Sequence, residues 1–468
     1  MGFSMKERLK TILILALVFT GILQVGILWV YQNEGTPTGF LLGFFGRNTQ
    51  ISDKVTRERL FVPDRLILSS GRQDNWLLKS GDEYFGDLWE EAKQGLYAIA
   101  SGELGLRVSS EDWGDLIEKR GFIIDFGYSV KPGLLRWFLG TGDKSGDLPD
   151  IRKIMVKPDI LNERVLTFYI YSSSSRVYVS EPSETGGDTV VFGEVMDYVS
   201  KESGKEFLSY DTFRGAKIDK AMGAEPDVLN VTDSPGYWKY REYSGRPPSK
   251  GEDKEELAQI VLGNEKERYN ISTIDENTVQ FNYGDNIYKY YSDGYFTYGY
   301  LGSPDLSGSG KFGDALHNTY KFIDGINKLA ARPADIVLTS AEEIRQGIFE
   351  FSFDYRLDGL AVEVDVEKKD ESGVKLVHAI NITADSKRVL KCEGLLREFT
   401  KGGENYYNES FMDLAKKTGR SGLEMHIQDM RPGYYIGSTD IELLKPTLII
   451  HMKDGSILTV KMPRREKG

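Results

Sequence analysis

Residues 11–31, TILILALVFTGILQVGILWVY, contain no Asp, Glu, Lys or Arg. As a helix rising about 1.5 Å per residue, such a run spans roughly 31 Å, one hydrocarbon thickness, so it constrains everything that follows. Lys6, Arg8 and Lys10 precede it, and Glu34 is the first charge after it. That asymmetry keeps a short tail, residues 1–10, in the cytoplasm and places the rest outside. The competing reading is a cleaved signal peptide. Signal cores are shorter, about 7 to 15 residues, and end at small residues. This run ends in Trp29, Val30 and Tyr31, which anchor well at an interface and cleave poorly. It reads as an uncleaved single-pass anchor in the cell membrane. A second apolar stretch, Phe40 to Phe45, is too short to span and reads as interfacial or packed under the body.

Composition narrows the body. A net charge of −12 over the chain argues against nucleic acid, which needs basic patches. A single cysteine, Cys392, rules out an internal disulfide in an exported body. Its setting, VLKCEGLL, reads as strand, so a small buried apolar residue is the expectation, not a nucleophile. The 26 tyrosines and 50 glycines favour sheets and tight turns over helical bundles.

The pattern predicts an α+β body of several units. Residues 32–60 read as a linker, followed by an N-terminal α+β domain (61–210), a central one (221–331) and a C-terminal one (332–468). In the first, Leu88, Ala92, Gly95 and Ile99 recur at helical spacing, and apolar runs near 65–69, 121–126, 151–157 and 165–171 read as strands. Residues 221–251, broken by Pro226, Pro235, Pro247 and Pro248, read as mostly irregular, and a short helix is expected near 254–262. The stretch from Val279 to Tyr300 predicts a three-stranded meander. In the last unit Phe349, Phe351, Phe353, Tyr355 and Leu357 alternate with polar residues up to an Asp358-Gly359 turn. A helix is predicted over 404–418, then a final hairpin about Asp454-Gly455.

Catalytic signatures are missing. His317, His378, His426 and His451 occur singly, so a histidine metal site or triad would need tertiary coincidence. No HExxH, GxSxG or GxxxxGK[ST] occurs. The remaining option is a carboxylate pair of the glycosidase kind, with Glu90, Glu91, Asp112 and Glu194 as candidates. The stretch DKSGD (143–147) lacks the further ligands of a calcium loop. No cofactor, metal or small-molecule substrate is expected. Within the apolar run Ala16, Thr20, Gln24 and, one turn further, Leu28 share one face. Gln24 near mid-bilayer would seek a hydrogen-bond partner on another helix.

Several pieces together resemble a known family. They are the span ending in ILWVYQ, the meander with YYSDGYFTY, and the hairpins FEFSFDYRLDGLAVEV and LIIHMKDGSILTVKM. Their order is similar to that of the YycH-type regulatory proteins of Gram-positive bacteria. The resemblance implies a non-enzymatic accessory protein of the YycF/YycG (WalR/WalK) two-component system. It implies that the span meets the membrane helices of the sensor histidine kinase, which governs cell-wall metabolism. It further implies that the external domains pair with a YycI-type companion, and that the last units are small and PepSY-like. The alternative is an anchored cell-wall glycan hydrolase.

Overall fold

A computed structural model describes residues 53–465, apart from 72–73, 142–147, 185–191, 204–205, 233–236, 249–269, 305–311, 331–333, 368–374, 412–425 and 441. The predicted span with Ala16, Thr20, Gln24 and Leu28, the helix near 254–262 and the DKSGD stretch lie outside the described residues. Among the described residues, no helix is long and apolar enough to cross a membrane.

The chain enters through helix α1 (Asp53–Leu60) and builds a first sheet. Its strands are β1 (Arg65–Ser70), β2 (Asn75–Lys79), β3 (Leu106–Val108), β4 (Arg120–Val130) and β5 (Ile151–Pro158). They continue as β6 (Val165–Tyr171), β7 (Val177–Ser180), β8 (Ser183–Glu184), β9 (Ser209–Thr212) and β10 (Leu229–Val231). The order is β10-β9-β2-β1-β4-β5-β6-β7-β3, with β8 on β6. Helices α2 (Phe85–Ser101), α3 (Trp113–Leu116), α4 (Pro132–Leu139), α5 (Phe192–Lys201) and α6 (Asp219–Met222) fill the connections.

Both faces of this sheet are covered, which is why its strands read as apolar runs, not as an alternation. Ile67, Ile123, Met155 and Tyr169 are cross-strand neighbours and form a row on one face with Trp113. On the other face Phe168 lies against Gly95 of α2, and Phe122 stacks on Phe192 of α5 at 5.8 Å. Leu88, Ala92, Gly95 and Ile99 are all buried, as their spacing predicts. Helix α3 is a single turn, with the Asp112 carboxylate accepting from the Gly114 amide as its cap.

The second half opens with β11 (Tyr237–Arg246) and the meander β12 (Asn270–Asp275), β13 (Thr278–Tyr283), β14 (Asn286–Tyr291) and β15 (Tyr295–Tyr300). Helix α7 (Phe312–Asn327) follows, then β16 (Asp335–Arg345), β17 (Ile348–Leu357) and β18 (Leu360–Val364). After β19 (Val366–Glu367) and β20 (Lys375–Leu376) come β21 (Ile380–Ala384), β22 (Val389–Leu395) and β23 (Glu398–Asn408). The chain closes with β24 (Ile427–Ile436), β25 (Glu442–Leu444), β26 (Thr447–Met452) and β27 (Ile457–Lys461). The large sheet runs β12-β13-β14-β15-β22-β21-β17-β18-β24-β26-β27, with β16 on the other side of β17. Strands from both sides of residue 332 therefore share one sheet, joined where β15 pairs with β22. Lys54–Gly468 form one compact unit.

Two local expectations are corrected. The segment predicted as irregular holds the ten-residue strand β11, because its prolines bracket YWKYREYSGR without interrupting it. The helix predicted from Glu404 is strand as far as Asn408, in β23; the remainder up to 411 is short and 412–418 lies outside the described residues. Gly402 and Gly403 weaken a helix there, and β23 pairs with β11 along nearly its whole length. By contrast, the Asp358-Gly359 hairpin turn forms as read, with positive φ at both residues (47° and 76°).

An alanine at a helix interior normally stabilises relative to glycine by about 1 kcal/mol. A Cβ at Gly95 would lie 2.1 Å from Phe168 Cζ, so the sign reverses here. Gly95→Ala is expected to cost about 1–3 kcal/mol, read as a lowered denaturation midpoint. A gain in stability would refute this packing.

Candidate functional site

Where the two sheets meet, charged side chains occupy positions that the strand pattern would give to apolar ones. Arg65 (β1), Asp125 (β4) and Lys153 (β5) are cross-strand neighbours, all buried. The Arg65 guanidinium donates to Asp125 Oδ2 through Nη2 at 2.9 Å and reaches across to Asp429 of β24. Lys153 pairs with Asp227 and stands 3.9 Å from Asp125. A second ladder starts at Asp64. Its Oδ1 accepts from Arg356 Nη2 of β17 at 3.0 Å, and its Oδ2 accepts from Arg431 of β24. Arg431 continues to Glu363 of β18 at 3.1 Å, and His451 Nε2 of β26 lies 3.1 Å from the same oxygen.

The alternation of β24 explains the geometry: Asp429 and Arg431 are two residues apart and so project from one face. Asp64 and Arg65, neighbours in sequence, each hold one of them. Burial alone would neutralise such groups, and pairing prevents it. For Glu363, burial opposes ionisation, but the His451 contact and the Arg431 charge hold its carboxyl down at about 2. Burial likewise opposes the charge on Lys153, and Asp227 and Asp125 overcome it, raising its pKa.

A cleft of about 470 Å³ opens beside the second ladder, lined by Asp64, Asp354, Arg356, Glu363, His378 and Arg431 among others. His378 Nδ1 lies 2.8 Å from Asp354 Oδ2, and Asp354 also accepts from the Ala379 amide and the Thr339 hydroxyl. Burial disfavours the His378 imidazolium, but the Asp354 contact wins and raises its pKa. Two of the four scattered histidines thus share one cleft, each opposite a carboxylate. Among the described residues no group of three or more His, Cys, Asp or Glu could hold a metal ion.

The carboxylates singled out in the sequence are dispersed over three helices. Glu90 is exposed on α2 and pairs with Lys93, whereas its neighbour Glu91 is buried. Asp112 caps α3, and Glu194 sits exposed in the first turn of α5. Cys392 is fully buried in β22, where burial pushes its thiol pKa well up, as suits a core residue. In the meander, Tyr290, Tyr295 and Tyr298 are core residues, and the Tyr298 hydroxyl donates to Asn286 at 2.7 Å.

No protein-family model matches the chain, and no curated protein sequence matches it. Solved structures do. The crystal structure of YycH from Bacillus subtilis superposes with a TM-score of 0.54, covering 86% of this chain and 96% of that one at 10% identity. The chain has a YycH-type fold. At that identity the likeness resides in the sheet-rich α/β architecture, so the YycH-type fold is kept here by a different set of side chains.

Another buried carboxyl lies outside the ladders. Glu409, just after β23, accepts from the Tyr210 hydroxyl at 2.7 Å and from that of Tyr240. Burial raises its pKa, and the two phenols offset this only in part. A raised folded pKa gives stability that is full below the unfolded value and is lost as pH rises through the folded one. Glu409→Gln is therefore expected to flatten the fall in stability as pH rises past the ordinary glutamate value of about 4.3 in denaturation series, with an unchanged slope counting against it. Replacing Arg431 by Met removes one of the two partners of both Asp64 and Glu363, a loss of about 3 kcal/mol in the same measurement.

Proposed function

We propose that this chain is a membrane-anchored extracytoplasmic regulator that modulates a cell-wall-controlling sensor histidine kinase of the YycG (WalK) type. In this reading residues 11–31 anchor it, the N-terminus is cytoplasmic, and the body outside the membrane binds a YycI-type companion. The last units, built on the large sheet and α7, would be the PepSY-like part. The observation that carries the reading is the YycH-type fold, shared over 86% of this chain and 96% of the Bacillus subtilis protein.

The chemistry of the cleft agrees with binding more than with hydrolysis. A glycosidase needs one carboxyl raised to act as acid beside a second that is ionised. Here Asp64 and Glu363 are tied to arginines, Asp354 to His378, and Glu363 is held at about 2. The hydrolase alternative therefore gains nothing from this site.

A helix contact can bias a kinase only if it differs between the kinase's signalling states. The face of Ala16, Thr20, Gln24 and Leu28 is the proposed contact, with the Gln24 amide as its polar member. Interhelical hydrogen bonds in membranes are worth about 0.6–2 kcal/mol. Gln24→Leu should therefore reduce co-purification of the kinase with the full-length protein from membranes by several-fold. Replacing the whole span by poly-leucine should abolish it. Undiminished recovery of the kinase with poly-leucine would remove the span from the mechanism.

A further inference from the structure

The charges that line the cleft beside the second ladder do not cancel. Arg356, Arg431 and Lys375 supply three fixed cations, and Asp64, Asp354, Glu363 and Asp365 supply four carboxylates, which leaves −1. The two histidines on its walls, His378 and His451, decide the rest, because histidine ordinarily titrates near neutrality, at about 6.5. With both imidazoles neutral the cleft carries −1, and with both protonated it carries +1.

Each imidazole is placed so that its charge ties separate strands. His378, just after β20, has its Nδ1 2.8 Å from Asp354 Oδ2 of β17, and Glu350 of β17 and Glu363 of β18 add to the negative field around it. Lys375 of β20 is itself paired with Asp365 at 2.8 Å. His451 of β26 shares Glu363 Oε1 of β18 with Arg431 of β24, and Asp429 is its cross-strand neighbour on β24. A neutral His378 can still donate from Nδ1, but the charge attraction to Asp354 leaves with the proton. What remains is a half-buried wall with one carboxylate in excess, where like charges are poorly screened.

We propose that the cleft is a proton-operated switch: protons taken up by His378 and His451 reverse its net charge and draw its walls together, and their loss loosens them. The direction follows from linkage. A base that holds its proton more tightly in the folded state gives stability that is complete below the unfolded pKa and is lost as pH rises through the folded one. For His378, burial opposes the charge and the Asp354 contact outweighs it, so the loosening comes above the ordinary histidine value of about 6.5. The switch belongs to the described body and does not depend on the kinase reading.

The Ala379 amide donates to Asp354 Oδ1 at 2.8 Å, so its hydrogen exchange reads the His378 side of the cleft directly. In the full-length protein in nanodiscs its protection, corrected for the intrinsic exchange rate, should fall at least about three-fold between about pH 6 and pH 9. Helix α5, no residue of which lines the cleft, is the control and should not follow. His378→Gln keeps a donor that can face Asp354 but not the charge, and should flatten the fall. Asp354→Asn removes the same attraction from the other side and should flatten it too, so either variant decides if the other folds poorly. His451→Gln stops the reversal at a net charge of zero and should lessen the fall. Protection at Ala379 that is constant with pH, an equal fall in α5, a fall that persists in the His378 or Asp354 variant, or one undiminished in His451→Gln would each overturn the inference.

Discussion

Everything in the body depends on how Asp64 and Arg65 are neutralised. These two neighbours stand at the start of the first strand, are buried, and each finds one of its two counter-charges on β24, more than 360 residues away, beside Arg356 for Asp64 and Asp125 for Arg65. Desolvating a charge costs several kcal/mol, repaid only when the geometry is good and the remaining hydrogen bonds are made. Here the repayment requires that β1, β4 and β5 of one sheet face β17, β18 and β24 of the other in one register. A one-residue slip of β24 would turn Asp429 and Arg431 away from these partners and leave Arg65, Asp64 and Glu363 each with one partner fewer. The ladders thus specify the docking of the two sheets, and the apolar rows on either side supply the driving force.

Local structure was largely legible in the chain. Helix α2, the 279–300 meander and the two Asp-Gly hairpins follow from periodicity and turn chemistry, which act over a few residues. What failed was pairing over long distances. β11 and β23 lie about 160 residues apart, each with weak local preferences, and each becomes strand because the other is there. The prolines around β11 suggested a loop; they mark its ends. Glycine and lysine in TKGGEN gave no strand signal at all, and β23 forms where a helix was expected.

The cleft was hidden for a related reason. His378 and His451 lie 73 positions apart in the sequence, in separate strands with no shared motif. A usable signal was present elsewhere: Asp125 inside FIIDFG, Lys153 inside IRKIMV, and Asp429 with Arg431 inside IQDMRPGYYI. A charge within an otherwise apolar strand has to be answered by another, and listing such positions nominates the ladder members before any coordinates exist. The pairing partners still need the fold, because sheet order is not written locally. The YycH-type fold, shared at 10% identity, makes the same point: two largely different sequences reach one topology.

The long reach of the Asp64–Arg431 and Arg65–Asp429 pairs has a kinetic side. A chain is made from its N-terminus, and Asp64 and Arg65 are synthesised hundreds of residues before their partners. Until β17 and β24 arrive, Asp64 lacks both of its arginines and Arg65 has only Asp125, so this face of the first sheet stays wet. Contacts this distant in sequence slow folding, and an early-emerging sheet left open is exposed to wrong partners. A strand made more than 360 residues later is therefore the one that seals the first.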